Sequence, residues 1–493
     1  MGCGHCATLY PDTPHRIHCH RLPRTHGAGS RRECAMTSFS VAMMGMFATR
    51  PSVFFVVLLL VRNSISFEFH VAPMVNYSTR HFRYLMSLLS PEAILWSEMI
   101  KTGDVLSATE GRQAMLLSRG QEGQGRGKCV LQLGGDDADE LQRCCRLACK
   151  SYSYDFINLN CGCPSIETNA HFGAILMKDP PRVARLLDAM AHSSNVPVSI
   201  KCRIGTHDRW KDVAQNQEDS FETLHSFVSQ VTRSGAVKHV AIHARSAVLQ
   251  GLDPERNRCV PPLRYDFVEH IARDFPGVNV VLNGGITVLN RTMVNAETSA
   301  LSGVMVGRAL LQRPLALLDT VGGASLLDLE QSLGVRRAAA ETAILQYARY
   351  AALELRSATN TNEVLLPLVL LFQSLCAETE LGNPNPNPNP NQGAETELGD
   401  TQGTQDKQDK QPPSVASSDP AILRTLILSM LPLLSQASSS ASLLSALRDV
   451  EEDLCHDEHD EERLGGAARR LNKALKALLG KKIVGKLKAN CSQ

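Results

Sequence analysis

The chain has 493 residues, with 51 Lys plus Arg against 50 Asp plus Glu, a formal net charge of +1, and 15 Cys. That length is enough for two or more domains around a large core. The balanced charge excludes a protein held on nucleic acid by a global basic field, so any such contact must come from a local patch. Cysteines without regular spacing in so long a chain do not make a disulfide framework, and they point to a reducing compartment.

Residues 1–66 are rich in Arg, His, Ser and Thr, with Asp12 and Glu33 as their acids. This is the composition of a targeting or disordered leader rather than of a folded unit. The apolar run 53–61, between Arg50 and Arg62, is shorter than the roughly 20 residues of a membrane span but suits the core of a signal peptide. A targeting role would send the protein to an organelle, plastid or mitochondrion; otherwise it is cytoplasmic. No stable membrane span is expected in the mature chain. Cys3-Gly4-His5-Cys6 has the spacing of half a zinc knuckle without a second pair, so no metal is expected there.

From residue 67 to 320, eight short apolar runs (69–74, 94–99, 129–133, 156–160, 198–204, 239–243, 279–282 and 303–306) alternate with segments of helical spacing such as 138–150, 181–192, 220–234 and 265–275. Eight such alternations predict a closed (β/α)8 TIM barrel, in which chemistry is confined to the C-terminal ends of the strands. Two connections are longer than barrel loops usually are. The Gly- and Gln-rich 108–128 reads as a disordered insertion. The charged 206–219, with Trp210, reads as a lid or an RNA-contacting loop.

The fourth run belongs to residues 155–165, DFINLNCGCPS. Gly162 and Pro164 stop it by removing a side chain and a backbone donor. Cys161 then points into a packed strand as a buried thiol. Cys163 is left on a turn next to Asn160. A thiol there can act as a nucleophile or as a proton donor, because its ordinary pKa lies only about one to two units above neutrality.

Beyond residue 320 the pattern is helical, at 338–355, 364–375, 421–434 and 443–454. The expected helical domain, 321–493, is interrupted at 376–419 by an Asn-Pro repeat, a polar tract and a hexapeptide, AETELG, that occurs at 377 and again at 394. Such a tract cannot build a core and reads as a disordered insertion. The Lys- and Leu-rich tail, 469–488, reads as a solvated amphipathic helix or a basic helix laid on RNA.

Gly162-Cys163-Pro164-Ser165 after Asn158-Leu159-Asn160 resembles the active-site segment of the flavin-dependent tRNA-dihydrouridine synthases. The segment from Val71-Ala72-Pro73-Met74 to Tyr84 is similar to the A-type branch of that family. So are Ser97-Glu98-Met99, Leu131 to Gly135, Ile200 to Gly205, Ile242 to Arg245, Asn283-Gly284-Gly285 and Val306-Gly307-Arg308. Pro261-Pro262-Leu263 followed by Asp274-Phe275-Pro276 has the same resemblance. Departures are Asn76 where an Asp is usual, Cys161 where a small apolar residue is, and Ser246 in place of a basic residue.

The resemblance implies an oxidoreductase that carries FMN, takes electrons from NADPH and reduces the C5–C6 bond of D-loop uridines in tRNA, at positions 20 and 20a; it implies no protein partner. Cys163 would be the general acid. Gly284, Gly285 and Gly307 would let backbone amides approach the flavin phosphate, with Arg308 as a charge-assisted fork. Lys201 and His243, with Asn283 beside them, would meet the polar edge of the flavin ring; Gln132 would bond it, and Pro73 and Met74 would pack on its face. Asn160 would hold the uracil edge, and Arg80, Arg83, Arg203 and Arg245 would contact phosphate or base. Two other readings stay open: an FMN barrel acting on a free pyrimidine, as dihydroorotate dehydrogenases do, and a tRNA-binding protein without catalysis. Substrate and bound flavin discriminate between the three.

Overall fold

The computed structural model describes residues 67–119, 127–164, 171–210, 219–286, 300–320, 329–356, 360–381, 420–437, 441–455, 464 and 466–475. The leader 1–66, most of the 376–419 insertion with all of its Asn-Pro repeat, and the end of the basic tail lie outside the described residues, so the expectations made for them stay as expectations.

Eight strands close a parallel barrel: β1 (Glu68–Val71), β2 (Ile94–Lys101), β3 (Cys129–Gly134), β4 (Phe156–Cys161), β5 (Val198–Arg203), β7 (Val237–His243), β9 (Asn279–Asn283) and β10 (Gly303–Val306). Around the barrel the order is β1-β10-β9-β7-β5-β4-β3-β2. All eight expected apolar runs are barrel strands. They are apolar on both faces because helices cover the outside while side chains fill the inside. Ile94, Trp96, Val130, Ala241, Val281 and Met305 pack together in that interior plug.

The outer helices begin where side chains can satisfy open backbone N–H groups. Thr79 caps α1 (Arg80–Leu89) and Asp137 caps α4 (Ala138–Ser151), each by accepting a first-turn N–H. Asp179 caps α5 (Pro180–Ser193), with Pro at its start where no N–H is needed, and Ser220 caps α6 (Phe221–Thr232).

The long connections differ from expectation. Between β2 and β3 lie α2 (Thr102–Ser107) and α3 (Glu110–Leu117), so 108–128 is not disordered throughout. Leu117 is buried and its carbonyl accepts a hydrogen bond from Tyr154 Oη at 2.8 Å, which anchors the segment. Gly- and Gln-rich composition hid one apolar anchor. The connection after β5 opens as β6 (Thr206–Arg209), which pairs with β8 (Ala247–Gln250) from the connection after β7. This small parallel sheet joins the connections that follow β5 and β7.

Helix α7 (Tyr265–Asp274) precedes β9, and after β10 the chain runs through α8 (Arg308–Gln312) into α9 (Leu329–Glu354), α10 (Thr361–Leu381), α11 (Pro420–Ala437) and α12 (Ala441–Cys455). Helix α10 continues past residue 376, where the insertion was expected to start. The apolar core runs without a break from the barrel's outer layer into these helices. Tyr347 and Tyr350 on α9 pack against Tyr84 on α1, and His81 Nδ1 meets Tyr350 Oη at 2.6 Å. Among the described residues no helix is long and apolar enough to cross a membrane.

Candidate active site

A cavity of about 360 Å³ opens at the C-terminal ends of the barrel strands. It lies within the range of small-molecule and cofactor sites. Pro73, Met74, Gln132, Asn160, Cys163, Lys201, Arg203, His243, Asn283, Gly284, Gly285, Gly307 and Arg308 all line it. Residues from all eight barrel strands and their loops thus converge, as the closure of the sheet requires.

Asn160, the last residue but one of β4, organises the turn that carries Cys163. Its Oδ1 accepts the backbone N–H of Gly162 at 3.2 Å and of Cys163 at 3.0 Å. Its Nδ2 donates to Gln132 Oε1 at 2.9 Å, and the amide chain continues through Asn158 to Ser199 across neighbouring strands. An amide engaged at both ends is rigid, so the thiol is held rather than left to a mobile loop. The carbonyl of Cys163 in turn accepts the Ala174 N–H at 2.9 Å, and Gly173, at φ +88, passes so close that a Cβ would stand 2.6 Å from that carbonyl oxygen.

Lys201, on β5, donates from Nζ to Asn283 Oδ1 at 3.0 Å, and Asn283 is fixed by donating to the Met305 carbonyl at 2.8 Å. Burial, with the neighbouring charge of Arg203, pulls the Lys201 amine down to about 8. His243 ends β7. Burial, then the charges of Arg203, Lys201, Arg245 and Arg258, holds its imidazole well below the usual range, so it is neutral. Its Nε2 is buried and has no hydrogen-bond partner in the protein. Gly284, at φ +112, sits directly against that ring: a Cβ there would lie 2.6 Å from His243 Cδ2. The residue must be glycine for both its backbone and its neighbour.

The expected arginines separate into three groups. Arg203 lines the cavity, but its guanidinium is a buried clamp: Nε donates to the Gly162 carbonyl at 3.1 Å, and Nη1 to the carbonyls of Ser246 at 3.2 Å and Asn257 at 3.0 Å. Burial and the charge of Arg258 pull it down to about 9. Arg245 does not line the cavity; it donates to the Pro261 carbonyl. Arg80 and Arg83 are not brought to the cavity either. Arg80 pairs with Glu354 of α9 at 2.7 Å, and buried Arg83 donates to the carbonyls of Ser78 at 2.6 Å and Ser118 at 2.7 Å. They join α1 to its surroundings, a role that a helix-start position does not announce.

Ser246 is buried beneath the mouth, its hydroxyl on Asp219, which also meets His207 at 2.9 Å. The missing basic residue at this position is therefore not a gap in the cavity wall.

Arg258 lines the cavity and was not singled out from the sequence. It ends a short turn (Arg256–Arg258) locked by Asn257, whose buried amide bonds Val248 through both N–H and C=O, at 2.8 and 2.9 Å. Burial, then repulsion from Arg308, lowers its guanidinium. The Arg256-Asn257-Arg258 cluster in a strand-end connection was the available signal. Lys201, Arg203 and Arg258 are each within electrostatic reach of the Cys163 thiol.

Chemically, the cavity offers one thiol, one buried amine, a neutral imidazole with an unused nitrogen, and a glycine-lined wall next to Arg308. The Dihydrouridine synthase (Dus) family model matches residues 70–379. A tRNA-dihydrouridine(20/20a) synthase of Shewanella oneidensis is 42% identical over 256 residues, covering 51% of this chain and 70% of that protein. One from Vibrio cholerae is 38% identical over 250 residues, 50% of this chain and 71% of its own. A third, from a Synechocystis strain, is 40% identical over 245 residues, with coverage of 50% and 68%. The match spans the barrel and its first packed helices, and the chain belongs to the dihydrouridine synthase family.

Proposed function

We propose that the protein reduces the C5–C6 bond of uridines 20 and 20a in the tRNA D-loop, with FMN as its resident redox group and NADPH as electron donor. The residues fit such a group. The orphaned His243 Nε2 and the Lys201 amine offer polar contacts for a ring edge, Pro73 and Met74 offer an apolar face, and the Gly284 and Gly285 backbone lines the same cavity as Arg308. When bound, FMN supplies the hydride for C6 of the uracil.

Everything else falls to the chain's own side chains. Lys201, cationic at neutral pH, stabilises negative charge at the cavity floor, while neutral His243 can donate or accept at its unused nitrogen. Cys163 gives its proton to C5 of the base as general acid. As it does so a thiolate forms, and Lys201, Arg203 and Arg258 offset its charge. The base must leave its stack to reach this depth, at a cost of a few kcal/mol that is lowest in an unpaired loop.

The observation that carries the reading is the two-bond lock of Asn160 on the Cys163 turn, facing the buried amine across one cavity. The test is to purify the full chain, record its visible spectrum, and incubate it with NADPH and unmodified tRNA while assaying dihydrouridine by position. A yellow protein that forms dihydrouridine at 20 and 20a is expected. A yellow protein that consumes NADPH and leaves tRNA untouched would favour a free pyrimidine as substrate, and a colourless one would remove the flavin.

A further inference from the structure

At the opposite end of the barrel from the cavity, three side chains that the reaction does not use converge. Glu68 and His70 rise from β1, and His239 from β7. His70 Nε2 is 3.1 Å and His239 Nε2 is 3.4 Å from the same oxygen, Glu68 Oε2. The two imidazoles are 1% and 6% exposed, the carboxylate 17%. β1 and β7 are not neighbours in the sheet, so the contact crosses the barrel's interior.

We propose that Glu68, His70 and His239 bind a divalent transition ion of the zinc class at the barrel floor. Ligand atoms around a tetrahedral ion with bonds of about 2.0–2.1 Å stand roughly 3.3–3.4 Å apart, close to the two imidazole–carboxylate spacings present, and all three ligand atoms lie within 4.8 Å of one another. Two imidazoles and one carboxylate are a donor set that zinc takes while keeping a fourth position open, and the exposed side of Glu68 gives that position a route to solvent. His239 Nδ1 is buried without a partner, so nothing prevents its ring from carrying the proton there and presenting Nε2 as a ligand.

His70 is constrained by Trp96, whose indole Nε1 donates to His70 Nδ1 at 3.1 Å. An indole N–H only donates. The proton of neutral His70 therefore sits on Nε2 and faces Glu68. An ion bound at Nε2 moves that proton to Nδ1, displaces the Trp96 bond and replaces the contacts of both imidazoles with Glu68 by coordinate bonds. Trp96 thus weakens the site, the reverse of the usual carbonyl or carboxylate that orients a metal-bound histidine. The bound ion would tie the first strand to β7 across the barrel.

The test is a metal titration of the chelator-stripped full chain with Zn2+, using Co2+ as an optical probe, in wild type and in Glu68→Gln, His239→Gln and Trp96→Phe. One equivalent of Zn2+, Co2+ bands of a nitrogen- and oxygen-ligated ion, and a rise in unfolding temperature with Zn2+ are expected. Glu68→Gln and His239→Gln should each weaken binding at least 100-fold, whereas Trp96→Phe should tighten it about tenfold, within the effect of outer partners on metal affinity. Thiolate-type Co2+ bands, or a tight equivalent that survives Glu68→Gln, would assign the ion to the chain's cysteines. No binding in wild type would leave the three residues as a buried hydrogen-bonded pin. Each of these outcomes overturns the proposal.

Discussion

Asn160 Oδ1 accepts the backbone N–H of Cys163 at 3.0 Å, so a side chain near the end of β4 also aims the thiol. Replacing Asn160 with Ala removes that bond and the one to Gly162 and frees the turn. We expect bound flavin to be retained and kcat on tRNA to fall at least tenfold, because a small misplacement of a reacting group is expensive in rate. Lost flavin with unchanged kcat per loaded enzyme would assign Asn160 to the cofactor instead.

Cys163→Ala should keep flavin and its reduction by NADPH but lower turnover on tRNA by about 100- to 10,000-fold, the range of general acid catalysis. Rapid-mixing measurement of each half-reaction separates the two. Full activity would remove Cys163 as the acid.

Gly284→Ala forces a Cβ to within 2.6 Å of His243 at a φ of +112. Backbone strain of this kind is worth on the order of 1–3 kcal/mol. The variant should bind flavin at least tenfold more weakly with its apoprotein still folded, read by flavin release on dilution and by circular dichroism.

Lys201, drawn to about 8 by burial, is cationic below that pH and neutral above it. If its charge acts in the reaction, kcat/KM should be level below about pH 8 and fall tenfold per unit above, and Lys201→Met should lack that limb. Stability runs the other way. The unfolded lysine holds its proton up to its ordinary value of 10.5, so between pH 8 and 10.5 the folded state binds fewer protons and this residue's contribution to stability rises with pH.

Arg83 is buried and bonded to carbonyls. Arg83→Ala should lower folding stability by roughly 2–3 kcal/mol, through unpaired buried groups, and leave the salt dependence of tRNA binding unchanged. A slope reduced by about one would mean a lost phosphate contact.

The barrel was legible because a parallel strand buried on both faces must be a short apolar run, and because eight such runs alternate with helical spacing in order. The cavity lining was legible for the same reason: strand-end residues, Cys163, Lys201, His243 and Asn283 among them, have nowhere to go but the mouth. Which arginines point inward was not legible. Arg80 and Arg83 stand in a segment of the right kind yet pair with α9 and loop carbonyls, and Arg203 holds three carbonyls, while Arg258 reaches the cavity from a turn set by Asn257. A guanidinium can reach in many directions from one backbone position, and only packing between distant elements selects one. The floor cluster has the same origin. His239 stands about 170 residues after Glu68 and His70 in the chain, and it meets them only because the sheet closes.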